Sequence, residues 1–192
     1  MTRGKVNKKR IYTAVNEIVA GLGSGVDSGR MKGTARRVSE FYDEFFSNIY
    51  KDPRDYIKVF DAENQEEMII ARGISYYSMC EHHLLPFFGE THIAYIPKRN
   101  KVTGFSSLVR VVECLSRRPQ IQEKLTGEIA DVLMEVLKPM GVFVITEAVQ
   151  LCLTMRNLHQ PGIKTVSSAI RGAFRKDATR EEALFLINSN GK

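Results

Sequence analysis

Four consecutive residues, Cys80-Glu81-His82-His83, hold two of the four histidines and one of the three cysteines of this chain. Leu84, Leu85, Pro86 and Phe87 close them in. Cys80 and His83 form a C-x-x-H pair, a spacing that lets a thiolate and an imidazole reach one ion, and zinc takes both. A structural zinc would need a fourth protein donor. A catalytic zinc needs three and leaves one corner for water, whose pKa it lowers toward ~7. The third donor is sought by periodicity in Gln150-Leu151-Cys152-Leu153-Thr154-Met155-Arg156. Read as extended chain, Leu151, Leu153 and Met155 point to the core, and Gln150, Cys152, Thr154 and Arg156 point away from it. Cys152 then stands among polar groups, which suits a ligand. The set predicted is Cys80, His83 and Cys152, with Zn2+ as cofactor.

His82 adjoins a ligand, and neighbouring residues of a strand or turn rarely face the same ion. It is assigned to general acid/base work beside the zinc water. Glu81 either supports a ligand or is structural. Cys114 sits among apolar helical neighbours and reads as core. His92 reads as a half-buried strand residue and His159 as a solvated loop residue.

The elements that position these groups follow from pattern. Residues 10–22 predict a helix with Ile11, Val15, Ile18, Val19 and Leu22 on one face. A Gly/Ser-rich loop follows. Thr34 is the expected cap of a second helix with the stripe Val38, Phe41, Tyr42, Phe45, Phe46 and Ile49. From about Glu67 the character changes. MIIARGISYYS and ETHIAYIP predict two strands, and Ser106–Ser116 a helix. Pro119 is expected to open a further helix that Pro139 and Gly141 end. GVFVITEAVQLCLTMR predicts one long strand or two short ones, KTVSSAIRGAF a last strand, and Thr179 with Glu182 a capped terminal helix. The order β-β-α-α-β-β predicts an α+β domain, an antiparallel sheet with helices on one face. The division expected is an N-terminal helical extension over 1–65 and a catalytic domain over 66–192.

Bulk properties narrow the function. The 192 residues carry 43% hydrophobic residues, enough for a core, which excludes a disordered chain. The net charge of +6 owes much to Arg3, Lys5, Lys8, Lys9 and Arg10, read as a solvated basic tail. No stacking motif accompanies them, so no nucleic-acid partner is expected. No window approaches the ~18 apolar residues of a membrane span. Three cysteines without a disulfide pattern fit a reducing cytoplasm.

At these residues the chain resembles GTP cyclohydrolase I. The resemblance runs from about Thr34 onward through SMCEHHLLPF, HIAYIP, GFSSLVR, RRPQIQEKLT, PMGVFV, EAVQLCLTMR and KTVSSAIRGAF. It implies a tunnelling fold whose ββααββ subunits join sheets around a ring, as a homo-oligomer that is typically a decamer of two pentamers with active sites between subunits. It also implies a reaction: zinc hydroxide attacks C8 of the guanine of GTP, the imidazole ring opens, and formate and 7,8-dihydroneopterin triphosphate result. By position, Cys80, His83 and Cys152 resemble the zinc ligands and His82 the acid/base. Glu123, with Gln122 beside it, resembles the carboxylate that accepts from guanine N1–H and the 2-amino group. Arg37, Ser106, Arg110 and Arg156 resemble triphosphate contacts, a role that suits guanidinium groups.

Three positions depart from the family pattern. Its His-x-Cys is here Gln150-Leu151-Cys152, a lysine is here Ser107, and a glycine is here Asn157. Gln150 takes the place of a catalytic imidazole. A carboxamide can orient a water or a carbonyl but does not titrate near neutrality. The sequence therefore allows three readings. One is the full cyclohydrolase reaction. The second is a diverged enzyme that stops at the ring-opened formamidopyrimidine nucleotide or takes another purine nucleotide. The third is an inactive zinc-holding oligomeric module, against which the retained ligands and His82 argue.

Overall fold

The first helix, α1 (Lys8–Gly21), starts where the Asn7 side chain accepts the Arg10 N–H at 3.0 Å, two residues ahead of the expected start. Of its expected apolar face only Val15 is buried; Ile18 and Leu22 are exposed. Helix α2 (Thr34–Phe45) is not capped by the Thr34 side chain. Gly33, at φ 83°, precedes it in the left-handed region, and Thr34 is its first residue. The aromatic stripe packs largely on itself, with Phe41, Tyr42, Phe45 and Phe46 forming ring pairs 5.3–5.5 Å apart. This computed structural model describes residues 4–27, 29–156 and 162–189. Two compact units divide the chain, Met1–Lys51 with α1 and α2, and Asp52–Lys192.

In the second unit β1 (Val59–Asp61) is followed by the long strands β2 (Ile69–Cys80) and β3 (Pro86–Ile96), then by β4 (Lys101–Thr103) and α3 (Phe105–Ser116). A two-residue strand β5 (Pro119–Gln120) precedes α4 (Gln122–Leu137). Strand β6 (Gly141–Gln150), the single turn α5 (Leu151–Thr154), β7 (Thr165–Gly172) and α6 (Asp177–Asn188) complete it. The main sheet runs β5-β2-β3-β6-β7, and β1 pairs with β4 apart from it. β2, β3, β6 and β7 are antiparallel neighbours, so the expected ββααββ unit of a tunnelling fold is present.

Pro119 does not open a helix. It joins β5, parallel to the end of β2 through Met79↔Pro119 and Cys80↔Gln120, and α4 begins three residues later. Proline is tolerated on this short edge because it needs no donor there. The Gln120 carbonyl then accepts the Glu81 N–H at 3.0 Å and ties β5 to the segment that carries Cys80.

Alternation along the strands sorts the core. Ile93, Tyr95, Val142 and Val144 face Leu108, Val111, Val112 and Leu115 of α3 and Leu125, Ile129, Leu133 and Leu137 of α4. Each such fully buried aliphatic side chain contributes about 1.5–3 kcal/mol. Ala94, Phe143 and Ile145 point to the other face, where Phe174 and the α6 residues Ala183 and Ile187 cover them. Helices α3 and α4 thus lie on one face as expected, and α6 adds cover on the opposite one. α6 starts at Asp177 rather than at a Thr179 cap. Arg72 satisfies its last carbonyls, donating to Leu186 O and Ile187 O at 3.2 Å each.

β3 and β6 approach unusually closely at Gly89, where a Cβ would lie 1.9 Å from the Glu147 carbonyl oxygen. A backbone atom in a paired strand cannot step aside. Gly89→Ala is expected to destabilise the protein by about 3 kcal/mol. Urea unfolding checks this, and an unchanged midpoint would mean that the strands are free to separate there. Among the described residues no helix is long and apolar enough to cross a membrane.

Candidate metal centre

β2 delivers Cys80 at its last position, and a tight turn returns the chain into β3. The Cys80 N–H donates to Leu85 O at 2.9 Å, and the Leu84 N–H donates to Cys80 O at 2.8 Å. Leu84 takes the left-handed conformation, φ 52°, that so tight a reversal needs. The turn folds His83 back over Cys80, with Nδ1 3.8 Å from Sγ. The His82 and His83 rings lie 6.2 Å apart at 81°, edge to face.

Cys152 arrives by a different route from the one alternation predicts. β6 ends at Gln150, and Leu151–Thr154 form a helical turn closed by the Met155 N–H donating to Leu151 O at 2.9 Å. Met155 is 64% exposed and does not face the core. A period of two therefore does not apply to this segment, and Arg156 shares no strand face with Cys152. The turn nevertheless carries the sulfur inward: donor atoms of Cys80, His83 and Cys152 all lie within 4.8 Å of one another. The turn also brings Arg156 to the site, its Nη1 2.7 Å from His83 Nε2.

These donors fit zinc. Tetrahedral bonds of usual length set a sulfur and a nitrogen donor about 3.6 Å apart, close to the 3.8 Å between Cys80 and His83. Burial, and then the neighbouring Cys80 sulfur, push the Cys152 thiol pKa up. Two sulfurs this close favour protonation unless a cation separates them. Three protein donors, not four, belong to the open kind of site.

A buried polar floor lies beneath Cys152. Gln122, the first residue of α4 and only 2% exposed, donates through Nε2 to Thr146 O at 2.9 Å and Thr165 O at 3.0 Å. Its Oε1 accepts from Gln150 Nε2 at 2.8 Å and from Thr165 Oγ1. The carboxamide is fully used within the protein. Thr126 and Thr146 continue the network, their hydroxyls 2.6 Å apart. Sequence reasoning missed these threonines. The signal available was a polar residue, Thr146, directly after the apolar run Val142–Ile145.

The other positions are distributed as follows. Glu123 is exposed in the first turn of α4. Ser106 and Arg110 are exposed one turn apart on α3, while Ser107 between them is buried. Arg37, on α2 of the first unit, donates to Thr34 Oγ1 at 3.2 Å. Cys114 is fully buried as expected, and half-buried His92 accepts the Gly73 N–H through Nδ1 at 3.3 Å. His159 and Asn157 lie outside the described residues.

Residues 11–188 match the protein family described as GTP cyclohydrolase I. The chain is 49% identical over 185 residues to the GTP cyclohydrolase 1 of Clostridioides difficile (strain 630), covering 95% of this chain and 97% of that one. It is 47% identical over 185 residues to the GTP cyclohydrolase 1 of Caldanaerobacter subterraneus subsp. tengcongensis, with 96% and 98% covered. With the GTP cyclohydrolase 1 of Bacillus subtilis (strain 168) the identity is 45% over 181 residues, with 94% and 95% covered.

Proposed function

Because this chain belongs to the GTP cyclohydrolase I family, we propose that it is a zinc-dependent hydrolase that converts GTP and water to formate and 7,8-dihydroneopterin triphosphate. The observation that carries the reading is the convergence of Cys80, His83 and Cys152, brought from segments some seventy residues apart to within 4.8 Å. Zinc held by them supplies Lewis acidity and lowers the pKa of water toward ~7, which makes a nucleophile for C8 of the guanine ring available at neutral pH.

The chain's own residues do the rest. The Glu123 carboxylate accepts from guanine N1–H and the 2-amino group, and a base lacking those donors leaves it unpaired. Gln122 lies beside Glu123 at the start of the same helix, with its carboxamide spent inside the protein. Ser106, Arg110 and Arg156 bind the triphosphate. The contact of Arg156 with His83 supports its share, since a guanidinium keeps its charge beside the metal site. His82 moves the proton to the nitrogen released as the imidazole ring opens. Gln150 is the second group assigned to catalysis, orienting without titrating. The catalytic domain is taken as 66–192, with 1–65 as the N-terminal extension.

A homo-oligomer, a decamer of two pentamers, is part of the same proposal. β7 pairs only with β6, and most of β2 beyond β3 has no partner among the described residues. Two open edges on one sheet suit head-to-tail joining into a closed ring. Cys80, Cys114 and Cys152 are not joined in disulfides, which suits a cytoplasmic location. No membrane or nucleic-acid partner enters the reading.

The test is incubation of the zinc-loaded protein with GTP. One formate per GTP consumed, with pterin fluorescence after oxidation, is the expected result. A mass gain of one water without formate release would overturn the full reaction in favour of arrest after ring opening. No change in GTP would overturn the enzymatic reading.

A further inference from the structure

The surroundings of Gln150 give it a structural task. It is the last residue of β6, paired with Phe87 of β3, and it immediately precedes the turn that carries Cys152. No side chain caps that turn. The Gln150 side chain instead runs inward to Gln122 and Thr165.

The orientation of the carboxamide follows from its partners. Gln122 meets two carbonyl oxygens, Thr146 O and Thr165 O, so the end that faces them must be its NH2 group. Its Oε1 then points at Gln150 and demands a donor, which fixes Gln150 Nε2 on that side at 2.8 Å. Gln150 Oε1 is left facing Cys152 Sγ at 4.0 Å. A directed chain of donors thus runs from the Cys152 thiol through Gln150 and Gln122 to two main-chain carbonyls.

We infer that Gln150 is a positioning residue: locked by Gln122, it holds the Cys152 turn and keeps the sulfur aimed at Cys80 and His83 before the ion arrives. This deepens the metal-centre reading and rests on it. The role is preorganisation of a ligand by a group that does not itself bind the ion.

The test uses the full chain loaded with Co2+ or Zn2+. Wild-type protein is expected to show an intense near-ultraviolet thiolate-to-cobalt charge-transfer band; its absence would remove the metal reading itself. Gln150→Ala and Gln122→Ala are each expected to weaken Zn2+ binding about 10- to 100-fold, measured against a chromophoric chelator, and to lower the cobalt band. The double variant is expected to be no worse than either single one, because both remove the same link. Gln150→His, which keeps a donor and an acceptor, should bind Zn2+ close to the wild-type level. Gln150→Glu keeps the length but lacks the N–H, and should lose as much as alanine. Gln122 is buried, so if its variant fails to fold, the His and Glu variants at 150 carry the test. Wild-type Zn2+ affinity in Gln150→Ala, or equal affinity in Gln150→Glu and Gln150→His, would overturn the inference. So would a Gln150→Ala protein whose metal binding is intact and whose turnover alone is lost, since Gln150 would then act on substrate.

Discussion

Cys152→Ala is expected to strip zinc from the protein and to lower turnover of GTP on the order of 10³-fold or more at neutral pH. Among the described residues, three side chains converge on the candidate site, from β2, from the hairpin turn and from α5. Removing one leaves two donors, too few to hold zinc against water and buffer. Without the ion the nucleophile is bulk water, whose pKa lies near 15.7 rather than ~7. The fold should survive, because Cys152 is only partly buried and packs at the margin of the core. Atomic emission for metal content, formate release for activity and circular dichroism for fold make the comparison. A variant that keeps one zinc per chain and wild-type turnover would place the ion elsewhere.

His82→Asn is expected to lower turnover roughly 10²–10⁴-fold, the usual worth of a positioned acid/base, with zinc content unchanged. Asparagine preserves hydrogen-bonding capacity and loses only the ability to exchange a proton near neutrality. The two variants therefore separate metal binding from proton transfer. Cys152→Ala loses metal and rate together, whereas His82→Asn loses rate alone. A His82→Asn protein without zinc would make His82 a ligand, and one with full turnover would leave proton transfer to another group.

Much of this arrangement was legible in residue types and spacing. The C-x-x-H pair announced an ion site because thiolate and imidazole at that spacing meet across a single turn, which the Leu84 reversal realises. The ββααββ order was legible because strands and helices bury their apolar residues at periods of 2 and 3.6. The core faces of β3, β6 and α4 follow those periods residue by residue. Cys152 was found for a reason that proved inapplicable. Its segment is too short for periodicity to separate strand from helix, and Met155, expected inside, points to solvent.

What the sequence determined by itself is the inventory of donors and the alternation that builds the sheet, since both are encoded within a few neighbouring residues. What only the tertiary structure decided is how distant segments meet. Strand β5 anchors on the end of β2, α6 covers the second face, Gln122 spends its amide on β6 and β7, and Gln150 links that amide to the Cys152 sulfur. Such pairings depend on the hydrogen-bond demands of groups remote in the chain, and those demands become defined only once packing has removed water from around them.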